Sequence, residues 1–310
     1  MSITVLFAAS EKDWHSYSLA LKQAFADAAL EVDLVTEADP EAVDYIVYAP
    51  TAVLQDFTPY KNTKAVLSLW AGVETIVTNE SLTMPLVRMV DPGMTQSMVE
   101  WVTGHVLRYH LDMDAHIVNP ERDWIWKSNP LAQERTVCIL GLGALGAAVA
   151  EQLVALNFNV TGWSRSAKSL PDVECFHGKD GLPRALSTAD IVVLLLPDTA
   201  ETENTLNAET LGALPHGARI INPGRGPLID DDAMTAALNN GQVGHATLDV
   251  FRVEPLPQDH PYWAHPNVTV TPHIAAATRA VTSAKEIAEN IARNEAGAPM
   301  INLVDRARGY

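Results

Sequence analysis

A chain of 310 residues, 47% hydrophobic and 19% charged, is long enough for two domains that each bury a core. Its formal net charge of −17 excludes a general binder of nucleic acid or of anionic membranes, because such partners select basic surfaces. Any site for an anion must therefore concentrate positive charge locally. The two cysteines, Cys138 and Cys175, form no CxxC and sit in apolar strand-like runs, so buried thiols in a reducing compartment are expected.

The opening MSITVLFAAS lacks a basic n-region and runs into EKDWHSY, the first turn of a helix, so it reads as a β-strand rather than a signal peptide. No apolar run approaches membrane-spanning length. The expectation is a cytoplasmic protein with no membrane partner.

After ITVLFAA, residues Trp14, Tyr17, Leu21, Phe25 and Ala28 fall on one helical face. VDLV, YIVYA and AVLSLW follow as short apolar runs, a pattern of parallel strands with crossover helices. VDPGM at 90–94 breaks the chain, and a helix is predicted from about Thr95 to His116. A second α/β series begins at RTVCILGLG, with strands predicted at 136–140, 158–163, 173–176, 190–196, 218–222, 244–250 and 267–271. Most are nearly continuous apolar runs, as strands covered on both faces should be. A last helix, about 278–295, has no strand to lead into and is expected to return to the first domain.

The second series opens with G-x-G-x-x-G at Gly141, Gly143 and Gly146, with Ala144 and Leu145 between them. Alone the hexapeptide is weak; directly after a strand and opening an alanine-rich helix, it reads as a dinucleotide-binding loop. Gly141 permits the tight turn, Gly143 the approach of a pyrophosphate, and Gly146 close helix–strand packing. An acid for the ribose 2′-OH is then expected about 20 residues further on. The chain instead offers GWSRSAKS at 162–169, in which Ser164, Arg165, Ser166 and Lys168 can bind a 2′-phosphate. The expected cofactor is NADPH, with NADH weaker.

Three later stretches each place a reactive residue type where a strand pattern ends, the end at which open α/β sheets bind ligands. INPGRG sets Arg225 between glycines, where a guanidinium can present its fork to a carboxylate. LDVFRVEPLP supplies Asp249 and Glu254, and NVTVTPHIA places His273 after Pro272. Singly, each has an ordinary explanation: a solvated arginine, a loop glutamate, a structural histidine. Their joint arrangement downstream of a cofactor loop makes the case. No metal site is expected, because His260 and His265 precede prolines in turn-like sequence and show no helical i, i+4 ligand pair.

Together GLGALG, LLLPDTAET, INPGRG, LDVFRVEPLP, HPNVTVTPHIA and the terminal DRARGY resemble the D-isomer-specific 2-hydroxyacid dehydrogenases, most nearly their glyoxylate/hydroxypyruvate reductase A group. The resemblance spans nearly the whole chain and is tightest over 136–280. It implies two Rossmann-like or flavodoxin-like parallel-sheet domains with the active site in the cleft between them. Residues 1–97 and 277–310 would form the substrate domain and residues 98–276 the NAD(P)-binding domain.

By the same resemblance Arg225 binds the substrate carboxylate and carbonyl, His273 is the general acid, and Glu254 hydrogen-bonds His273 and favours its charged form. Backbone N–H groups of Gly72 and Val73 complete the carboxylate site, Asp249 lies near the nicotinamide carboxamide, and Pro197 near the adenosine. Trp70 stands where relatives often have a small residue and is a candidate pocket wall. Trp124 and Trp126 are candidates too, either on the substrate or across a homodimer interface. The implied activity is NADPH-preferring reduction of small 2-oxo acids, glyoxylate to glycolate and hydroxypyruvate to glycerate. Alternatives are another dehydrogenase of the family, acting on phosphoglycerate or phosphite, and a nicotinamide-sensing corepressor on the same scaffold. The acidic chain and the lack of an added partner-binding tail weigh against the last.

Overall fold

In the computed structural model the described residues are 2–124 and 126–306; positions 307–310, the end of the DRARGY stretch, lie outside them. The chain divides into two compact units, residues 1–94 with 277–310, and residues 95–276.

The first unit starts with β1 (Ile3–Ala8) and α1 (Glu11–Asp27). Ser10 and Asp13 form a reciprocal capping box at the helix start, which satisfies two otherwise orphaned N–H groups. Tyr17, Leu21 and Phe25 of the expected apolar face are buried, while Ala28 falls just past the helix end. Strands β2 (Val32–Val35), β3 (Tyr45–Tyr48) and β4 (Ala65–Ser68), a short helix α2 (Glu74–Val77) and β5 (Leu86–Val87) follow. The sheet order is β2-β1-β3-β4-β5 and every pairing is parallel. All residues of β3 and β4 are buried, as their unbroken apolar sequence requires.

Helix α3 spans Pro92–His110 rather than Thr95–His116. It starts early because proline is tolerated at the first helical position and the Asp91 carboxylate accepts from the N–H groups of Gly93 and Met94, at 3.0 and 3.1 Å. It stops before Asp112, whose φ of 53° is left-handed, and a separate turn α4 (Asp114–Ile117) follows.

The second unit contains β6 (Thr136–Leu140), α5 (Ala144–Ala155), β7 (Asn159–Ser164), β8 (Val173–His177), α6 (Gly178–Leu186) and β9 (Ile191–Leu194). It continues with α7 (Ala208–Gly212), β10 (Ala218–Asn222), α8 (Asp231–Asn239), β11 (Val243–Leu248) and β12 (Val268–Val270). The seven strands, in the order β12-β11-β10-β9-β6-β7-β8, are parallel throughout. The order reverses at β6, the switch point where doubly wound sheets open a crevice at the strands' carboxyl ends. The fold class is therefore α/β with two parallel sheets.

Cys138 is fully buried in β6, and burial pushes its thiol up to about 12. Cys175, expected to be buried, is only half-buried, because β8 is an edge strand with a neighbour on one side alone. The last helix, α9 (Ala280–Glu295), belongs to the first unit. Its Ala284, Ile287, Ala288 and Ile291 share a core cluster with Tyr17, Leu21, Ala24 and Phe25 of α1. Among the described residues no helix is long and apolar enough to cross a membrane.

Candidate active site

In the second unit, the residues singled out in the sequence lie in the segments that follow the parallel strands. Gly141 leaves β6 at φ 109°, a left-handed conformation that favours glycine. A Cβ at Gly146 would meet the Gly141 carbonyl oxygen at 1.9 Å, so the helix can sit this close to the turn only without a side chain. Gly143 differs: a Cβ there meets nothing within 4 Å. The space over it is open at the start of α5, and no side chain caps that helix N-terminus. This is the environment a phosphate group needs, with free N–H groups, a favourable helix dipole and room to approach. These residues fit a dinucleotide, which Gly143, Ala144 and Leu145 would hold by its phosphates.

Beyond β7 the GWSRSAKS segment divides. Ser164 is buried and its hydroxyl donates to the Ser166 carbonyl at 2.8 Å, whereas Arg165, Ser166 and Lys168 are exposed. Arg165 Nη1 lies 4.0 Å from Glu201 Oε2, a solvent-facing pair that adds little stability. Pro197 follows β9; its carbonyl accepts from Thr202 Oγ1 at 2.6 Å.

Arg225 follows β10 in extended backbone. The next residue has to be small, since a Cβ at Gly226 would lie 2.0 Å from the carbonyl carbon of Phe251. Asn222, which the sequence reading passed over, organises this turn. Its Oδ1 accepts from the Gly224 N–H at 3.1 Å and its Nδ2 donates to the Arg225 carbonyl at 2.9 Å. Its own carbonyl accepts from the Asp249 N–H at 3.0 Å. An asparagine before Pro-Gly was the available signal, since Asn side chains close turns on nearby backbone.

Asp249 is fully buried. Its Oδ1 accepts from the Thr271 hydroxyl at 2.5 Å and the Ile274 N–H at 2.9 Å, and its Oδ2 from the Ala275 N–H at 2.9 Å. The Asp249 carbonyl also accepts from the His273 N–H at 2.8 Å. The carboxylate thus builds the loop that carries His273, a non-glycine residue at φ 53°. Such backbone costs about 1–3 kcal/mol and persists only where its surroundings over-determine it.

Glu254 and His273 come together. Glu254 Oε2 is 2.8 Å from His273 Nδ1, and Glu254 Oε1 accepts from the Phe251 N–H at 2.9 Å. One oxygen fixes the carboxylate and the other orients the imidazole, leaving Nε2 as the ring nitrogen free of this pairing. About half of the His273 side chain is exposed, so it remains available to a ligand.

Sequence reading also missed a polar cluster in this unit. Burial, and next the Arg108 charge, lowers both His105 and His245 to about 4. His245 Nε2 and Arg108 Nη2 meet Thr269 Oγ1 at 3.0 and 2.9 Å. His260 and His265 engage their Nδ1 atoms with the backbone N–H groups of Tyr262 and Asn267. Among the described residues no group of three His, Cys, Asp or Glu side chains is placed to hold a metal ion.

In the first unit Gly72 and Val73 lie between β4 and α2; the Val73 side chain is buried in the core and the Val73 carbonyl accepts from Val77 N–H at 2.8 Å. Trp70 is 42% exposed, and in the second unit Trp124 and Trp126 are almost wholly exposed.

A switch-point glycine loop and a carboxylate–histidine pair on one parallel sheet define a nicotinamide-dependent oxidoreductase. Residues 105–275 match the family model of the D-isomer specific 2-hydroxyacid dehydrogenase NAD binding domain, and the chain belongs to that family. It is 41% identical over 256 residues to glyoxylate/hydroxypyruvate reductase A of Serratia proteamaculans, covering 80% of this chain and 82% of that protein. The corresponding Klebsiella pneumoniae protein is 39% identical over 282 residues, covering 88% and 89%. A D-isomer specific 2-hydroxyacid dehydrogenase from Xanthobacter autotrophicus, solved with NADPH and MES, superposes with a TM-score of 0.93 at 41% identity over all of both chains. The NADPH-dependent glyoxylate/hydroxypyruvate reductase of Sinorhizobium meliloti, solved with NADP and sulfate, gives 0.85 at 32% identity, again over all of both chains.

Proposed function

We propose that the protein is an NADPH-preferring reductase of small 2-oxo acids, converting glyoxylate to glycolate and hydroxypyruvate to glycerate. The observation that carries this reading is the half-exposed His273 imidazole held 2.8 Å from the Glu254 carboxylate, a general acid with its ring fixed in place. The names and bound cofactors of the similar proteins support it.

Reduced nicotinamide, when bound at the glycine loop, supplies a hydride to the carbonyl carbon. His273 gives the proton on Nε2 to the carbonyl oxygen, which becomes the product hydroxyl, and Glu254 orients the ring through Nδ1. Arg225 binds the substrate carboxylate with its planar fork, and the N–H groups of Gly72 and Val73 add donors to the same group. Asp249 acts through the loop it holds together. Arg165, Ser166 and Lys168 read the 2′-phosphate, and Ser164 shapes that loop from within. Trp124 and Trp126, exposed in a single chain, pack in a homodimer.

The test is reduced-nicotinamide oxidation, followed by absorbance, with NADPH and NADH against a panel of 2-oxo acids. Turnover of glyoxylate and hydroxypyruvate with a preference for NADPH is expected. Binding of cofactor without turnover of any 2-oxo acid would identify a sensor instead.

A further inference from the structure

The seven-stranded sheet has a second polar edge. The glycine loop, Pro197, Arg225 and Asp249 follow the carboxyl ends of their strands, whereas Arg135 directly precedes β6, Asp190 directly precedes β9, and Arg219 is the second residue of β10. These three line a cavity of about 140 Å³ at the amino edge, together with Asp112 and Lys127 from either side of α4. All of them belong to the second unit. Strand β6, five residues and so ~16 Å long at ~3.3 Å per residue, separates this edge from the glycine loop.

The fold makes a place for Arg219. Ala218 pairs with Val243 and Arg219 with His245, so Gly244 is an extra residue in β11. A Cβ at Gly244 would lie 2.1 Å from Arg219 Nη1, and Arg219 Cζ lies over the Tyr109 ring, 5.8 Å from its centroid. The bulge and the missing side chain leave room for the guanidinium, and the aromatic face supports it.

What the two arginines lack is acceptors. A guanidinium is a fork of N–H donors that accepts nothing itself. Among the described residues neither side chain makes a hydrogen bond. Arg135 Nη1 stays 3.6 Å from Asp190 Oδ1, Arg219 Nη2 stays 4.0 Å from Asp112 Oδ1, and Arg135 Nε is buried with no partner. The carboxylates are engaged elsewhere, Asp190 by the Thr136 N–H at 2.8 Å and Asp112 by Lys127 Nζ at 2.7 Å. The Lys127 hydrogen bond, with the charges of Lys127, Arg219 and Arg135, holds the Asp112 carboxyl below its ordinary range. With the lining His216 counted neutral, three cations face two carboxylates, a local positive excess in a chain of net charge −17.

The space exceeds by far the ~10–15 Å³ that one water needs. Its donors come from separate chain segments, so they suit a tetrahedral group with oxygens on several sides better than a planar carboxylate, which one fork satisfies. We propose that this cavity binds a phosphate group, as a second anion site separate from the one for the dinucleotide.

Calorimetric titration of inorganic phosphate into the protein saturated with NADPH tests this, because the cofactor then occupies the glycine loop and GWSRSAKS. Saturable binding is expected at constant ionic strength. It should weaken by ~10- to 150-fold in Arg219→Gln and in Arg135→Gln, the range for one charge-assisted hydrogen bond. Phosphate should raise the parent's melting temperature above that in chloride of equal ionic strength, and this gain should shrink in both variants. Neither variant should change KM for NADPH or melt much lower without phosphate, since partly solvated pairs at 3.6 and 4.0 Å add little stability. Two substitutions on different strands keep the test decisive if one protein fails to fold. Glycerol 1-phosphate separates the sources: tighter binding than inorganic phosphate identifies a phosphate ester, and equal or weaker binding the free ion. A parent that binds phosphate no better than chloride would overturn the proposal. So would equal phosphate affinity in parent and variants, which would assign the ion to another basic site such as Arg225.

Discussion

Replacing Asp249 by asparagine changes almost nothing in size and removes an acceptor from a place with no water to replace it. The carboxylate is fully buried and accepts three hydrogen bonds, two on Oδ1 and one on Oδ2. The amide would do best with its oxygen at the two-donor position, which leaves its NH2 facing the Ala275 N–H. One charge-assisted bond is then lost, worth about 1.5–3 kcal/mol, and two donors are left opposed in the interior at about 1–3 kcal/mol. The loop thus loses roughly 2.5–6 kcal/mol of support, against the ~1–3 kcal/mol that the left-handed backbone of His273 costs. Urea denaturation of Asp249→Asn should show a loss of that order. Turnover should fall by at least tenfold as His273 leaves its position, while NADPH affinity changes little. A variant within 1 kcal/mol of the parent and fully active would refute the idea that this carboxylate holds the histidine loop; the ~1 kcal/mol threshold is one ordinary hydrogen bond.

Arg165→Ala should raise KM for NADPH at least tenfold and leave that for NADH nearly unmoved, since one charge-assisted contact to the 2′-phosphate is removed; equal effects on both cofactors would dismiss the loop as the reader of that phosphate. His273→Asn should lower kcat by ~10²–10⁴ with cofactor affinity retained. Glu254→Gln replaces the carboxylate 2.8 Å from His273 Nδ1 by an amide that holds the ring less firmly, so kcat should fall while KM for NADPH stays near the parent's. Arg225→Lys should lose most activity on glyoxylate and still bind NADPH, because a lysine cannot reproduce the fork. His105 and His245 are held at about 4 against an ordinary 6.5, so the unfolded chain binds more protons than the folded one between those values. Their stabilisation is full above about pH 6.5 and is lost as pH falls towards 4, up to about 3 kcal/mol for each. Denaturation at two pH values should show that loss, and the double variant His105→Gln, His245→Gln should flatten it.

Much of the protein was legible locally. The glycine loop is a strand, a turn and a helix within one short segment, and the strand candidates were apolar runs because strands covered on both faces carry little else. The seven strands predicted for the second unit are all present, with ends shifted by no more than two residues. Where the sequence reading slipped, a single side chain or neighbour was decisive. Helix α3 starts at Pro92 because Asp91 accepts from its first N–H groups, and Cys175 is half-buried because β8 has one neighbour rather than two.

Sequence by itself determined the two sheets, the cofactor loop and the family, since these depend on patterns and motifs within short reach along the chain. The state of each polar group was decided only in three dimensions. Ser164 and Arg165 are adjacent in sequence, yet one hydroxyl is buried against Ser166 and the other side chain is exposed. Asp249 reads as one more acid after a strand until its three donors, more than 20 residues further along the chain, close around it. Hydrogen-bond satisfaction and burial depend on what the fold brings from distant parts of the chain, and composition and spacing carry no record of that.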